Sequence, residues 1–382
     1  MATVTNIQDL RAIAMKKVPR AIFHYADRGS YDETTLRANK ADLDAIALRQ
    51  RVMIDVSERS TRTTMIGEDV ALPLAIAPTG LTGLFHGDGE IHGCRAAHAA
   101  GIPFTLSTMS ICSIEDVAAA VNKPFWFQLY VMRDRKFSES LIERAKAAKC
   151  SALVLTLDLQ IQGQRHMDIK NGLAVPPKLT VANALDIATK PAWALSVLMG
   201  KRHSFGNLAV RKESDSLTTL SQWIAGQFDP SLSWKDVEWV RSIWPGKLIL
   251  KGVLDVEDAK IAAETGADAI VVSNHGGRQL DGAVSSISAL PKIVDAIGGG
   301  RNGGTSEIWF DGGIQSGQDV LKAVALGAKG CMMGKSFLWS LAAGGQAGVA
   351  KAIEIIRKEL DVSMALTGTK DINKVDKSVL AL

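Results

Sequence analysis

The sequence predicts a (β/α)8 barrel, and three observations carry that expectation. From Pro73 onward, short β-branched or apolar runs alternate with longer amphipathic stretches, the rhythm of strand-then-helix units. The alternation persists for eight units, the number that closes such a barrel. No Gly-x-Gly-x-x-Gly lies between the first strand and the first helix, which weakens the runner-up, an open doubly wound sheet that binds a dinucleotide. A chain of 382 residues, 47% hydrophobic, can bury a core of this size.

Asn6 to Ala14 and Pro19 to Tyr25 read as short helices, ended by Ala26-Asp27-Arg28-Gly29-Ser30. Strands are expected at Leu74–Ala77, Phe104–Leu106, Phe125–Leu129, Leu153–Leu157, Leu248–Lys251, Ala269–Val272, Ile308–Phe310 and Gly330–Met333. Helical patterns such as Gly89–Ala99, Ile114–Val121, Phe137–Ala148, Val256–Thr265 and Gly317–Ala325 fall between them. The period breaks once. Between Asp168 and Val237 about seventy residues carry no convincing strand, so residues 169–236 form an insertion within a single domain spanning 1–382. Within it Leu185–Gly200 carries Trp193, Leu195, Val197, Leu198 and Met199, followed by Lys201-Arg202-His203. Two readings of this apolar face with a basic flank stand: a lid over the barrel mouth, or a segment lying on a membrane surface.

Composition narrows the function classes. A net charge of +4, with Lys and Arg dispersed, argues against nucleic acid as a partner. Cys94, Cys112, Cys150 and Cys331 are far apart, with no CxxC, and read as reduced core thiols rather than a disulfide frame or metal site. The start, Met1-Ala2-Thr3-Val4-Thr5, lacks a secretory layout, and no apolar run is long enough to span a bilayer. The expected location is the cytoplasmic side, soluble or peripherally attached.

Chemistry in a (β/α)8 barrel sits at the strand tips. The run Val271 to Gly282 leaves a buried strand and places His275 and Arg278 on glycine-bearing backbone; an imidazole can take a proton and a guanidinium can grip a carboxylate. By itself, His-Gly-Gly-Arg is a capped surface turn. Asp158, at the tip of Thr156-Leu157-Asp158, is by itself a helix cap, and Tyr25 a core helix residue. Lys251 ends an apolar strand, where an ammonium is costly unless an anion meets it. Gln128 and Tyr130 stand two apart on one strand face. The turns Asp311-Gly312-Gly313-Ile314-Gln315-Ser316-Gly317 and Gly334-Lys335-Ser336 suit a phosphate.

These residues together resemble the FMN-dependent L-2-hydroxy acid oxidase and dehydrogenase family, which includes glycolate oxidase, L-lactate dehydrogenase and mandelate dehydrogenase. The resemblance runs from Tyr25, in Phe-x-Tyr-x-x-x-Gly, to Met364-Ala365-Leu366-Thr367-Gly368, and is densest around His275. Leu48-Arg49-Gln50-Arg51, Phe104-Thr105-Leu106-Ser107-Thr108 and Ser233-Trp234-Lys235-Asp236 look most like the bacterial L-lactate dehydrogenase branch.

The resemblance implies oxidation of an L-2-hydroxy acid to the 2-keto acid with FMN as cofactor. His275 is the implied base, oriented by Asp158, with Arg165, Arg278 and Tyr25 on the substrate carboxylate and Tyr130 on the forming keto oxygen. Whether the base takes the Cα proton or the hydroxyl proton stays open. For the flavin it implies Ala77, Pro78 and Thr79 at the N5 edge, Ser107, Gln128 and Thr156 at the polar edge, and Lys251 beside N1 and O2. Ser273, Asp311, Gly313, Gln315, Gly334 and Lys335 complete the expected contacts. The family usually carries arginine where Gln315 and Lys335 stand here, so weaker flavin retention is expected. The implied partners are a quinone or other respiratory acceptor, a membrane surface reached through the insertion, and further copies in a tetramer. An oxygen-using oxidase of glycolate or mandelate type is the main alternative. An FMN-dependent isomerase, or a barrel without cofactor, would not need the His275, Arg278 and Arg165 set.

Overall fold

A computed structural model describes residues 3–173, 180–208, 226–298 and 306–381. Helices α1 (Ile7–Lys17), α2 (Arg20–Asp27) and α3 (Thr34–Ala45) precede a hairpin of β1 (Thr63–Met65) and β2 (Glu68–Val70). The barrel follows with β3 (Leu74–Ile76), α4 (Gly89–Ala100), β4 (Thr105–Ser107), α5 (Ile114–Val121), β5 (Trp126–Leu129), α6 (Arg135–Ala147) and β6 (Ala152–Thr156). The insertion contributes α7 (His166–Lys170), α8 (Val181–Ala188) and α9 (Pro191–Leu198). Then come α10 (Trp234–Ile243), β7 (Lys247–Val253), α11 (Val256–Glu264), β8 (Ala269–Val272), α12 (Ser286–Ile297), β9 (Glu307–Asp311), α13 (Gly317–Ala325), β10 (Gly330–Met333) and α14 (Lys335–Leu366).

The eight strands β3 to β10 pair in parallel, each with its neighbour in sequence, and β10 pairs back onto β3. A parallel bridge between Ile76 and Phe104 closes the remaining seam between β3 and β4. This is a (β/α)8 barrel, as expected. All eight strand expectations fall on observed strands, and Ile114–Val121 and Gly317–Ala325 match their helices end to end.

Side chains alternate across each strand, so one set fills the barrel and the other meets the helices. Ala75, Trp126, Val154, Ile249, Val271, Trp309 and Met332 form the interior cluster, while Leu74, Leu106, Leu153, Leu250, Ile270 and Phe310 join the outer core. The lower end is plugged by the hairpin, which the sequence did not reveal. Met65, Ile66 and Val70 enter the interior cluster, and Ile66 N–H donates to Glu307 Oε2 at 3.0 Å. Continuing the interior period upward leads to Ala77, Ser107, Gln128, Thr156, Lys251, Ser273 and Asp311. The upper layer of the barrel is therefore polar, directly above an apolar filling.

The apolar stretch Leu185–Gly200 is not one continuous element. Thr189 and Lys190 separate α8 from α9, which starts at Pro191, and neither helix buries a residue fully. The insertion's remaining segments, 174–179 and 209–225, lie outside the described residues. The four cysteines are free and buried.

Candidate active site

A cavity of about 650 Å³ opens at the C-terminal ends of the strands. Of the residues singled out from sequence, Tyr25, Ala77, Pro78, Thr79, Ser107, Tyr130, Arg165, Lys251, His275, Arg278, Asp311, Gly313, Gln315, Gly334 and Lys335 line it. Asp158, Gln128, Thr156 and Ser273 stand just behind this wall and act through neighbours or unpaired atoms.

His275 sits one turn beyond β8 in the left-handed region, with φ of 58°, a conformation a β-carbon disfavours and one often held in place at functional sites. Its backbone is pinned: His275 N–H donates to Ser273 Oγ at 3.1 Å. Gly277 follows with φ of 73°, and a β-carbon there would lie 2.6 Å from Leu36 Cα, so only glycine lets α3 approach. A reciprocal amide pair, Asn39 and Asn274, joins the same two elements with both bonds at 2.8 Å. Sequence reasoning missed this pair. An Asn three residues before Gly277, in a glycine-rich turn, was the available signal.

His275 Nδ1 lies 2.9 Å from Asp158 Oδ1, leaving Nε2 for the cavity. Burial pulls the imidazole below its ordinary value; Asp158 opposes this, and Lys251 and Arg165 add to it. The ring is thus neutral at neutral pH, as a base requires. Burial favours protonated Asp158, yet the His275 ring and Lys251 outweigh it and keep the carboxylate ionised. A bulge in β7 makes room for the pair: the register shifts between Lys251 and Val253, and a β-carbon on Gly252 (φ 102°) would fall 2.6 Å from Asp158 Cγ.

Arg278 lies over the Tyr25 ring, 4.7 Å from its centroid, and its Nη1 donates to the carbonyls of Tyr25 and, at 3.1 Å, Arg28. Arg165 Nε donates to Arg278 O at 3.3 Å. Burial and the neighbouring Arg278 charge bring Arg165 down to about 10, which leaves it protonated. Burial holds the Tyr130 phenol well above its ordinary value, so it remains a hydrogen-bond donor. The arrangement suits a small carboxylate whose α-carbon faces His275.

Below this, Lys251 Nζ meets Asp311 Oδ2 at 2.7 Å and Ser273 Oγ at 3.0 Å, and Ser273 Oγ donates to Asp311 at 2.7 Å. Burial works against the ammonium, but Asp311 and Asp158 hold its value above normal. Gln128 Oε1 accepts from Ser107 Oγ at 3.1 Å, while its Nε2 and the Thr156 hydroxyl are buried without a partner. Orphaned donors of this kind mark where a ligand's acceptors belong. They fit the polar edge of an isoalloxazine ring, and a fixed cation suits its N1 and O2 side.

The phosphate end shows a difference between the two expected tips. The start of α13 is already satisfied: Ser316 and Asp319 cap it, Gln315 N–H donates to Asp319 Oδ2 at 2.9 Å, and Gly317 N–H to Glu359 Oε2 at 2.8 Å. The Gln315 side chain is engaged as well, accepting from Gln8 Nε2 at 2.7 Å. In contrast, α14 begins at Gly334 and Lys335 with no side-chain cap, beside the cavity. Uncapped N–H groups at a helix start fit a phosphate. Lys335 itself turns the other way, donating to the carbonyls of Ala26 (2.8 Å), Asp27 (3.3 Å) and Arg28 (3.1 Å). Burial and the Arg278 charge lower it to about 7. The expected free point charge at this position is thus a strap onto the end of α2.

Comparisons with known proteins agree with this geometry. A family model described as FMN-dependent dehydrogenase matches residues 14–382. The chain is 48% identical over 374 residues to an L-lactate dehydrogenase of Pseudomonas paraeruginosa, covering 97% of each chain, and equally so to one of Vibrio cholerae. Among solved structures it is similar to a monotopic membrane protein, (S)-mandelate dehydrogenase, with a TM-score of 0.93, 34% identity and 99% of each chain covered. A mandelate oxidase matches with a TM-score of 0.83 and 37% identity, over 98% of this chain and 97% of that one.

Proposed function

The chain belongs to the FMN-dependent dehydrogenase family, and on that premise we propose that it oxidises L-lactate to pyruvate and passes the electrons to a quinone or other respiratory acceptor. It is an FMN-dependent oxidoreductase acting on an L-2-hydroxy acid; lactate and the acceptor are the proposed refinements. The observation that carries the reading is the neutral His275, backed by Asp158, in one cavity with Arg165 and Arg278.

Bound at this site, FMN supplies the two-electron acceptor. Lys251, Gln128, Thr156, Ser107, Ser273 and Asp311 would hold its ring, and the start of α14 its phosphate. Arg165 and Arg278 bind the substrate carboxylate, Tyr25 adds its hydroxyl, and Tyr130 donates to the oxygen that becomes the keto group. His275 Nε2 takes a proton from the substrate, and Asp158 stabilises the imidazolium that results. The barrel serves as one domain, with tetrameric association in keeping with the family resemblance.

Peripheral membrane attachment through α8 and α9 fits their exposure. Val181, Leu185, Leu195, Leu198 and Met199 are 58–80% exposed, whereas a lid would turn such side chains down onto the barrel. Phe205 and Leu208 bury the foot of the insertion, while Trp193 Nε1 donates to Leu84 O at 2.7 Å and Asp186 accepts from Arg20 N–H at 2.6 Å. Among the described residues, no helix is long and apolar enough to cross a membrane.

The test is anaerobic mixing of the FMN-loaded protein with L-lactate while following flavin absorbance. Rapid bleaching, absent in His275→Ala, is expected, and adding a quinone or air then identifies the acceptor. Flavin that stays oxidised with lactate, glycolate and mandelate alike would overturn the assignment.

A further inference from the structure

One buried carboxylate in the cavity has no part in the reaction as described. Asp168, in the first turn of α7, is 8% exposed and lines the cavity, yet its carboxylate makes no hydrogen bond among the described residues. Burial pushes its value up, and four groups oppose this: Arg278, Arg165, Lys335 and His24. Two of these are the arginines that bind the substrate carboxylate. His24 is engaged with Asn171 Nδ2 at 3.0 Å, and Lys335 with the α2 carbonyls, so neither screens Asp168 through a direct bond. A buried carboxylate with no hydrogen bond is expensive, and the arginines offset that cost only in part.

That position has a consequence for ligands. An incoming carboxylate must enter a cavity that Asp168 lines together with both arginines. One carboxylate is tolerated, because two guanidiniums outweigh Asp168. A second would add a further repulsion at short range in a poorly screened site. We propose that Asp168 is a specificity-determining residue, a charge filter that restricts the site to 2-hydroxy monocarboxylates and rejects dicarboxylates. The inference rests on the substrate reading above, and it makes Asp168 a competitor of the substrate anion rather than a catalytic residue.

Oxamate and oxalate test it, being nearly the same shape and differing by one charge. Each is titrated into the FMN-loaded protein, with binding read from the perturbation of flavin absorbance. In Asp168→Asn the Kd of oxamate should fall about fivefold and that of oxalate about twenty-five-fold, since the second charge repeats the repulsion. Asp168→Glu, which restores the charge, should return the oxalate-to-oxamate ratio toward wild type, and Asp168→Ser, a second neutral variant that serves if the amide impairs folding, should give the same unequal shifts for the two anions. In turnover, Asp168→Asn should lower KM for L-malate relative to L-lactate, with the kcat ratio little changed. Equal shifts for both anions, or a joint loss of affinity, would make Asp168 a structural residue and overturn the proposal. Failure of the substrate reading would look different: oxamate would still titrate while wild-type flavin stayed oxidised with every 2-hydroxy acid.

Discussion

His275 shows how one residue's chemistry is set by its surroundings. Burial holds its imidazole below the ordinary value near 6.5, and Asp158 partly lifts it. Since the base works unprotonated, activity is retained at neutral pH and lost as pH falls through the lowered value. The acid limb of kcat/KM should therefore lie below pH 6.5. Asp158→Asn removes the lifting charge and the orienting acceptor together. It should move that limb to still lower pH and reduce kcat by about a hundredfold to ten-thousandfold. A pH–rate profile of both proteins checks this, and an unmoved limb would remove Asp158 from the assignment. Not every residue was legible from sequence. His275 and Arg278 stand out in a short motif, whereas Asp158 alone looks like a helix cap, and Asp168 alone like any acid near the start of a helix. Their meaning comes from partners distant along the chain.

At the scale of elements, the C-terminus of α2 is the clearest case. Its last carbonyls, from Tyr25 to Arg28, have no partners within the helix and are taken up by Arg278 and Lys335 from two strand tips. This docking holds Tyr25 over the cavity and explains why Lys335 is engaged away from the helix start it belongs to. The β7 bulge is equally specific. Gly252→Ala would push a methyl group into Asp158, and we expect kcat to drop about a hundredfold with flavin still bound, because small misplacements of a base are costly. Retained flavin absorbance with slow anaerobic bleaching would bear this out, and wild-type bleaching would count against it. The strands were legible because their apolar runs are bounded by turn residues. The β1–β2 hairpin was not, since its strands, Thr63–Met65 and Glu68–Val70, contain no apolar run. Nor was the break between α8 and α9, where Lys190-Pro191 interrupts an apolar pattern that otherwise reads through.

At the scale of the whole molecule, the barrel gives one end to stability and the other to chemistry. Stacked Trp126 and Trp309, with ring centroids 5.2 Å apart, fill the lower interior beneath a polar upper layer. The insertion extends from the active side, and α8 and α9 turn Val181, Leu185, Leu195 and Leu198 outward. Leu195→Ser with Leu198→Ser should weaken co-sedimentation with anionic lipid vesicles several-fold while leaving flavin reduction by L-lactate unchanged. Undiminished vesicle binding would assign those side chains elsewhere. By itself, the sequence determined the strand count, the alternation that makes one barrel end polar, and the His275–Arg278 motif, since these are written in local periods and short patterns. The tertiary structure decided which side chains meet. Asp158 and His275 lie 117 residues apart, and Arg278 reaches the Tyr25 carbonyl across 253. Such pairings depend on barrel closure and strand register, which juxtapose distant tips through long-range packing that no local pattern encodes.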